Sequence, residues 1–132
     1  MQFLMSRKAG AMLHWASVVL LLGTAAASSE AMARGAAWLF ALVAALWVVR
    51  TLSAGPMARP GSRLTGALAL AHLVIHRGML TLVAATALAG VAAPGALHER
   101  LVWVTLAAAV VHVAFNFWRE ATGGGVLRRM LP

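Results

Sequence analysis

The segment from Leu97 to Pro132 reads LHERLVWVTLAAAVVHVAFNFWREATGGGVLRRMLP and carries two histidines, His98 and His112, on one apolar stretch. A helix turns by about 100° per residue, so the separation between residues 98 and 112 brings the second imidazole back to within roughly 40° of the first. The two rings therefore share one helix face, about 21 Å apart along the axis. That distance is too long for one metal ion, but it matches two stacked cofactors near opposite faces of a bilayer, whose hydrocarbon core is about 30 Å thick.

The composition is that of an integral membrane protein. Hydrophobic residues make up 62% of the 132 residues, compared with about 45–50% in soluble domains. Charged residues make up 11% and stand between apolar runs or at their ends, because a charge inside a bilayer is costly. The absence of cysteine excludes disulfides, iron–sulfur clusters and covalent haem attachment. The net charge of +8 is explained by Lys and Arg residues that mark the cytoplasmic loops of a membrane protein, so no nucleic-acid partner is expected.

Four apolar runs are long enough to cross the bilayer. They predict one membrane domain, residues 1–132, which is an all-α bundle of four transmembrane helices at about 9–28, 35–52, 66–93 and 99–118. Ser29–Gly35 is predicted as a turn outside the membrane, and Arg50–Arg63 as a loop because it contains prolines and glycines. A basic C-terminal tail is predicted for residues 119–132. A cleavable signal peptide is the alternative for the first run, although His14 would be unusual in such a segment.

The basic residues divide unequally between the two sides of this bundle. One side receives Arg7, Lys8, Arg50, Arg59, Arg63, Arg119, Arg128 and Arg129, whereas the other receives Arg34 and Arg100. Because cytoplasmic loops carry an excess of Lys and Arg, both termini are predicted to be cytoplasmic.

His14 and His112 are predicted to lie at the same depth. His14 follows Lys8 on an outward-running helix, and His112 precedes Arg119 on a returning one, so that each lies about 9–10 Å from the cytoplasmic boundary. Matching depth on antiparallel helices is what two imidazoles need in order to bind one haem iron from opposite sides. We therefore predict His14 and His112 as the axial ligands of one haem. The alternative is two polar residues that are hydrogen-bonded inside the bundle.

His72 and His76 lie four residues apart and share a helix face. The only acids of the chain stand at span boundaries: Glu30, Glu99 and Glu120. Without a nearby carboxylate, metalloprotease chemistry is not expected. His72 comes near the level of the predicted haem pair and is therefore the rival ligand. His76 and Arg77 lie deeper, where they could contact haem propionates, a quinone or a partner chain, with structural hydrogen bonding as an equal alternative.

His98 lies near the outer boundary, where an axial partner should come from the start of the second span. That region, SSEAMARGAAW, contains no histidine. Met32 is a conceivable donor, but a methionine near a turn more often serves packing. One haem is therefore expected rather than two. His98 would then be an interfacial histidine that hydrogen-bonds a neighbouring subunit or a quinone.

The chain resembles the bacterial cytochrome b561 family of di-haem, four-helix membrane proteins. The motifs that carry the resemblance are Leu13-His14-Trp15, His72 with Ala89-Gly90, Leu97-His98-Glu99, His112-Val113 and the closing segment Gly125–Pro132. In that family, the helix-one histidine and the inner helix-four histidine hold the cytoplasmic haem, and these correspond to His14 and His112. The outer haem uses a histidine that opens helix two together with the equivalent of His98. Here Ala33-Arg34-Gly35 stands at the helix-two position, so that ligand is missing.

The resemblance implies a b-type cytochrome of the bacterial inner (cytoplasmic) membrane. Such a subunit would transfer electrons between the quinone pool and a protein partner through a bis-histidine haem b. It would be an electron-transfer subunit rather than a stand-alone enzyme, with the lipid bilayer and other membrane subunits as its partners. The missing ligand also raises a second hypothesis, an accessory subunit derived from cytochrome b561 that holds a larger membrane complex together, with its haem structural or lost.

Overall fold

The structure, a computed structural model, describes residues 6–54 and 64–122. These residues form four helices: α1 (Arg7–Ala25), α2 (Glu30–Ala54), α3 (Gly66–Ala92) and α4 (Ala96–Ala121). Each helix is long and apolar enough to cross a membrane, and no strand occurs in the described ranges. The predicted all-α architecture, with four helices long and apolar enough to span a membrane, is confirmed for the described residues. The predicted loop is helical as far as residue 54, and residues 55–63 lie outside the described part.

Two pairs of consecutive helices contact each other in inverse chain order, so that earlier residues of one helix meet later residues of the other. Ser17 of α1 contacts Trp47 of α2, whereas Gly10, two turns earlier on α1, contacts Arg50, one turn later on α2. The same inverse order holds between α3 and α4 in three contacts: His72 with Arg119, Thr86 with Thr105, and Gly90 with His98. α1 and α2 are therefore antiparallel to each other, and so are α3 and α4. Of the four neighbouring pairs around the bundle, α1 and α4 are the least closely packed.

The buried core is narrow, and large apolar side chains surround it on the outside. It consists of Leu21, Phe40, Ala44, Val83, Ala87 and Val102, which together come from all four helices. Phe40 is completely buried, while Trp38 and Leu39, its near neighbours in sequence, are exposed. An apolar exterior of this extent is suited to lipid contact, because in water it would drive aggregation.

The predicted turn at Ser29–Gly35 is wrong, because α2 begins at Glu30. The hydroxyl of Ser29 accepts a hydrogen bond from the backbone N–H of Met32 at 3.3 Å and so caps the helix. Arg34 pairs with Glu30 one turn earlier. The charges that suggested a turn are therefore partners on one helix face, as residues four apart are in a helix. Only residues 26–29 connect α1 to α2.

The predicted tail is also wrong at its start, because α4 continues to Ala121. The hydroxyl of Thr122 donates to the carbonyls of Trp118 and Arg119, both at 3.1 Å, and so ends the helix. Arg119 is 9% exposed and faces the bundle interior rather than solvent. The rest of the predicted tail, residues 123–132, lies outside the described part.

Candidate cofactor site

Four of the chain's five histidines meet at the end of the bundle where α1 and α3 begin. This histidine cluster consists of His14, His72, His76 and His112. The ring centroids of His72 and His76 are 4.0 Å apart, those of His76 and His112 4.7 Å, and those of His14 and His112 6.1 Å. Helices α1, α3 and α4 therefore each direct at least one imidazole to the same region.

The spacing of His14 and His112 matches that of two imidazoles on opposite sides of one metal ion. An imidazole nitrogen lies about 1.1 Å from its ring centroid and binds a first-row metal at about 2 Å, so two axial rings place their centroids roughly 6.3 Å apart. The observed separation is 6.1 Å. The ring planes meet at 41°, and this angle is unrestricted because each axial ring can rotate about its metal–nitrogen bond. The pair therefore has a spacing that fits a bis-histidine haem iron.

Both ring nitrogens of His112 are buried and have no hydrogen-bond partner. Most buried polar atoms in proteins do have one, so an unpaired pair of this kind calls for an explanation. The backbone carbonyl of His112 is held by the side-chain amide of Asn116, which donates to it at 2.8 Å. This contact leaves the ring itself unengaged. A metal ion or another ligand atom at the ring would engage one of these two nitrogens.

A cavity of about 160 Å³ adjoins the cluster. Its lining is apolar apart from His14, His76, His112, Ser17 and Trp47. The indole N–H of Trp47 donates to the Ser17 hydroxyl at 3.0 Å, and that hydroxyl donates to the carbonyl of Leu13 at 2.8 Å. These two polar groups satisfy each other and the backbone, so the histidines are left as the polar groups available to a ligand.

The cavity is smaller than the roughly 300–1,000 Å³ of typical cofactor sites. The ring spacing of His14 and His112 thus matches a ligated pair, whereas the cavity beside them is smaller than a macrocycle needs. Helices α1 and α4 are the least closely packed neighbours in the bundle, and the ligand pair lies across their junction. The donor chemistry and the ring spacing fit a haem, and the cavity volume does not.

Hydrogen bonds give His72 and His76 different protonation patterns. Nδ1 of His76 lies 2.8 Å from the carbonyl oxygen of His72. Because a carbonyl only accepts, this nitrogen carries the proton, and Nε2 of His76 keeps a free lone pair. Nδ1 of His72 lies 3.3 Å from the guanidinium of Arg119, which only donates. A neutral His72 therefore carries its proton on Nε2, which argues against the predicted role of His72 as rival iron ligand.

Arg119 belongs to this region and was not predicted as a site residue. It was interpreted as a marker of the membrane boundary, although its seven-residue spacing from His112 places both on one face of α4. Arg77, the predicted contact of a propionate, a quinone or a partner chain, is exposed. Its backbone carbonyl accepts a hydrogen bond from the Thr81 hydroxyl at 3.0 Å. The buried cation beside the histidines is thus Arg119 rather than Arg77.

His98 lies at the opposite end of the bundle from the other four histidines. Its Nδ1 donates to the carbonyl of Thr86 at 3.1 Å, and its ring packs against Gly90 close to Ala37. Met32, the conceivable second donor, is exposed, and its sulfur accepts a hydrogen bond from Ser28 at 3.6 Å. The residues around His98 therefore do not fit an outer haem.

The fold and the site define a four-helix membrane protein with a partly buried histidine cluster at one end. Compared with known proteins, the chain matches no family model, no curated protein and no solved structure. The resemblance to cytochrome b561 consequently stays a prediction from the motifs.

Proposed function

We propose that this protein is a membrane-bound b-type cytochrome subunit that transfers electrons between the quinone pool and a protein partner. His14 and His112 would hold its single haem. The observation that carries the proposal is the 6.1 Å separation of these two rings, one of which has both nitrogens buried and unpaired. Ionisable side chains inside membrane spans are rare and are usually functional, which supports the same assignment.

In this function the chain binds, orients and shields the cofactor. A bound haem supplies the one-electron chemistry. His14 on α1 and His112 on α4 would hold the iron, and Asn116 fixes the turn of α4 that carries His112. The Trp47–Ser17 hydrogen bond fixes α1 relative to α2 one turn beyond His14. The apolar side chains of the cavity exclude water from the iron.

The proposed location is the bacterial inner membrane, with both termini in the cytoplasm and the histidine cluster toward the cytoplasmic side. The unequal distribution of Lys and Arg supports this orientation. The exposed apolar residues support contact with lipid and with other membrane subunits, one of which would accept or deliver the electron. A quinone is the proposed small-molecule partner.

A second candidate function is an accessory subunit that helps to hold a larger membrane complex together, with its haem structural or lost. Two observations favour it. The cavity of about 160 Å³ is small for a cofactor, and His98 is packed against Gly90 rather than opposed by a second ligand. An accessory subunit would co-purify with other chains in fixed ratio, whereas a carrier would be isolated with haem and be reduced by a quinol.

The test is a dithionite-reduced minus oxidised visible spectrum, with the haem quantified per chain as its pyridine complex. It compares the wild type with His14→Ala, His112→Ala and the matched control His98→Ala. We expect one b haem per chain in the wild type and in the control, and loss of that haem in the other two. A helical preparation without haem, or equal haem in all four proteins, would overturn the proposal.

A further inference from the structure

The buried guanidinium of Arg119 has no carboxylate partner among residues 6–54 and 64–122. The side chain is 9% exposed. The chain has three acidic residues in all, each within the described ranges, and none of them forms an ion pair with Arg119. Glu30 pairs with Arg34, and Glu99 belongs to the first turn of α4, at the end opposite Arg119. A cation in such a place needs a counter-charge, because burial without one is unfavourable.

The hydrogen bonds of Arg119 also leave most of its capacity unused. A guanidinium has five N–H donors, and within the described part of the chain Arg119 uses one of them, toward Nδ1 of His72 at 3.3 Å. That neighbour is itself 8% exposed, and its ring lies 4.0 Å from His76. His72 thus holds the guanidinium in place without neutralising it. The remaining donors form the fork that binds carboxylates and phosphates in two parallel hydrogen bonds.

We propose that Arg119, positioned by His72, binds an oxyanion that belongs to a ligand outside this chain. The ligand group is a carboxylate or a phosphate, since both match the planar fork. Arg119 lies in the last turn of α4, close to where a spanning helix reaches the lipid headgroups. A series of contacts also connects it to His112: Arg119 contacts His72, whose ring is next to that of His76, which in turn is next to that of His112.

Two sources can supply that oxyanion. One is a propionate of the haem, a source that rests on the proposed function. The other is the phosphate of an anionic phospholipid, which is independent of any haem. The same residue would serve either one, so the experiment has one arm for each source.

The variants are Arg119→Gln and a matched control on the same helix, Arg100→Gln, whose side chain is exposed. In the first arm, the haem-loaded proteins are mixed with an excess of a haem-free acceptor globin, and the rate of haem transfer is measured. Loss of a charged hydrogen bond predicts roughly tenfold faster transfer from Arg119→Gln than from the wild type or Arg100→Gln. In the second arm, haem-free proteins are placed in vesicles of phosphatidylcholine, alone or with an equal amount of phosphatidylglycerol, and the unfolding temperature is measured by circular dichroism. Phosphatidylglycerol should raise it in the wild type and Arg100→Gln but not in Arg119→Gln.

A difference between Arg119→Gln and the control in either arm supports the proposal and identifies the source. Equal behaviour of the two variants in both arms overturns it. A wild type that takes up no haem overturns the proposed function alone, and the vesicle arm then decides on the oxyanion site. If Arg119→Gln does not fold, Arg119→Lys replaces it in both arms, with a several-fold effect expected because the charge remains but the planar fork is lost.

Discussion

Gly90 of α3 lies against the imidazole of His98 on α4, so closely that a methyl group at residue 90 would stand 2.8 Å from ring carbon Cε1. The Cβ of Ala37 on α2 would be 3.1 Å from the same methyl group. Three helices thus meet through two small residues and one ring. Small residues allow this approach in membrane helices, whose association depends on close packing rather than on the exclusion of water.

Gly90→Ala should destabilise the bundle, because the ring of His98 has to shift and give up its hydrogen bond to Thr86. Overpacking of this kind costs about 1–3 kcal/mol. The free energy of unfolding in mixed micelles, titrated with a denaturing detergent, measures the change. Gly78→Ala is the control, since nothing lies within 4 Å of the added methyl group. Equal stability of the two variants would show that the Gly90–His98 contact does not constrain the helices.

The hydroxyls of Thr86 and Thr105 form a fully buried pair, 2.7 Å apart, between α3 and α4. A double-mutant cycle with Thr86→Val and Thr105→Val should give a favourable coupling of about 0.6 kcal/mol, the average for hydrogen bonds between membrane helices. The same detergent titration measures it. Thr81→Val, which removes an exposed hydroxyl bound to its own helix, should couple to neither threonine. A coupling of zero between Thr86 and Thr105 would contradict the prediction.

His72→Gln should keep the haem. The glutamine carbonyl can accept the hydrogen bond of Arg119, and the iron would still be held by the proposed pair of axial histidines. The haem content per chain and the position of the reduced absorption bands are the measurements. His112→Gln, the matched substitution at a proposed ligand, should lose the haem. Loss of haem from both variants to the same extent would restore His72 as an iron ligand.

A single cysteine can report the orientation, because the natural chain has none. Ser28→Cys lies in the connection between α1 and α2, and Thr65→Cys lies before α3, at the other side of the membrane. In intact bacteria with a permeable outer membrane, a membrane-impermeant maleimide should label Ser28→Cys and should label Thr65→Cys only after lysis. The reverse pattern would place the termini outside the cytoplasm.

The sequence was sufficient to predict the four helices, because apolar length alone defines a membrane span. It was less informative where polar residues occur at a span end. Glu30 and Arg34 look like a turn in sequence, but they pair along the first turn of α2. The proximity of His14 to His112 could be predicted, because the rise per residue alone places both at the same depth.

The arrangement around that pair could not be predicted in the same way. His76 was expected to lie deeper than the pair, yet its ring is 4.7 Å from that of His112. The rise per residue gives depth along one helix, but the shift of α3 against α4 depends on packing contacts such as that of Gly90 with His98. Arg119 was predicted as a boundary marker because a sequence does not show which of several arginines faces inward.

The two proposed ligands lie on the first and the last helix, which are also the neighbours with the weakest packing. Any group bound by both His14 and His112 would link α1 to α4. Its affinity would then count as folding free energy, since the unfolded chain offers no preformed site. During synthesis this link between α1 and α4 cannot form until α4 has entered the membrane. If His14 and His112 hold a cofactor, its stable binding therefore has to follow the membrane entry of α4.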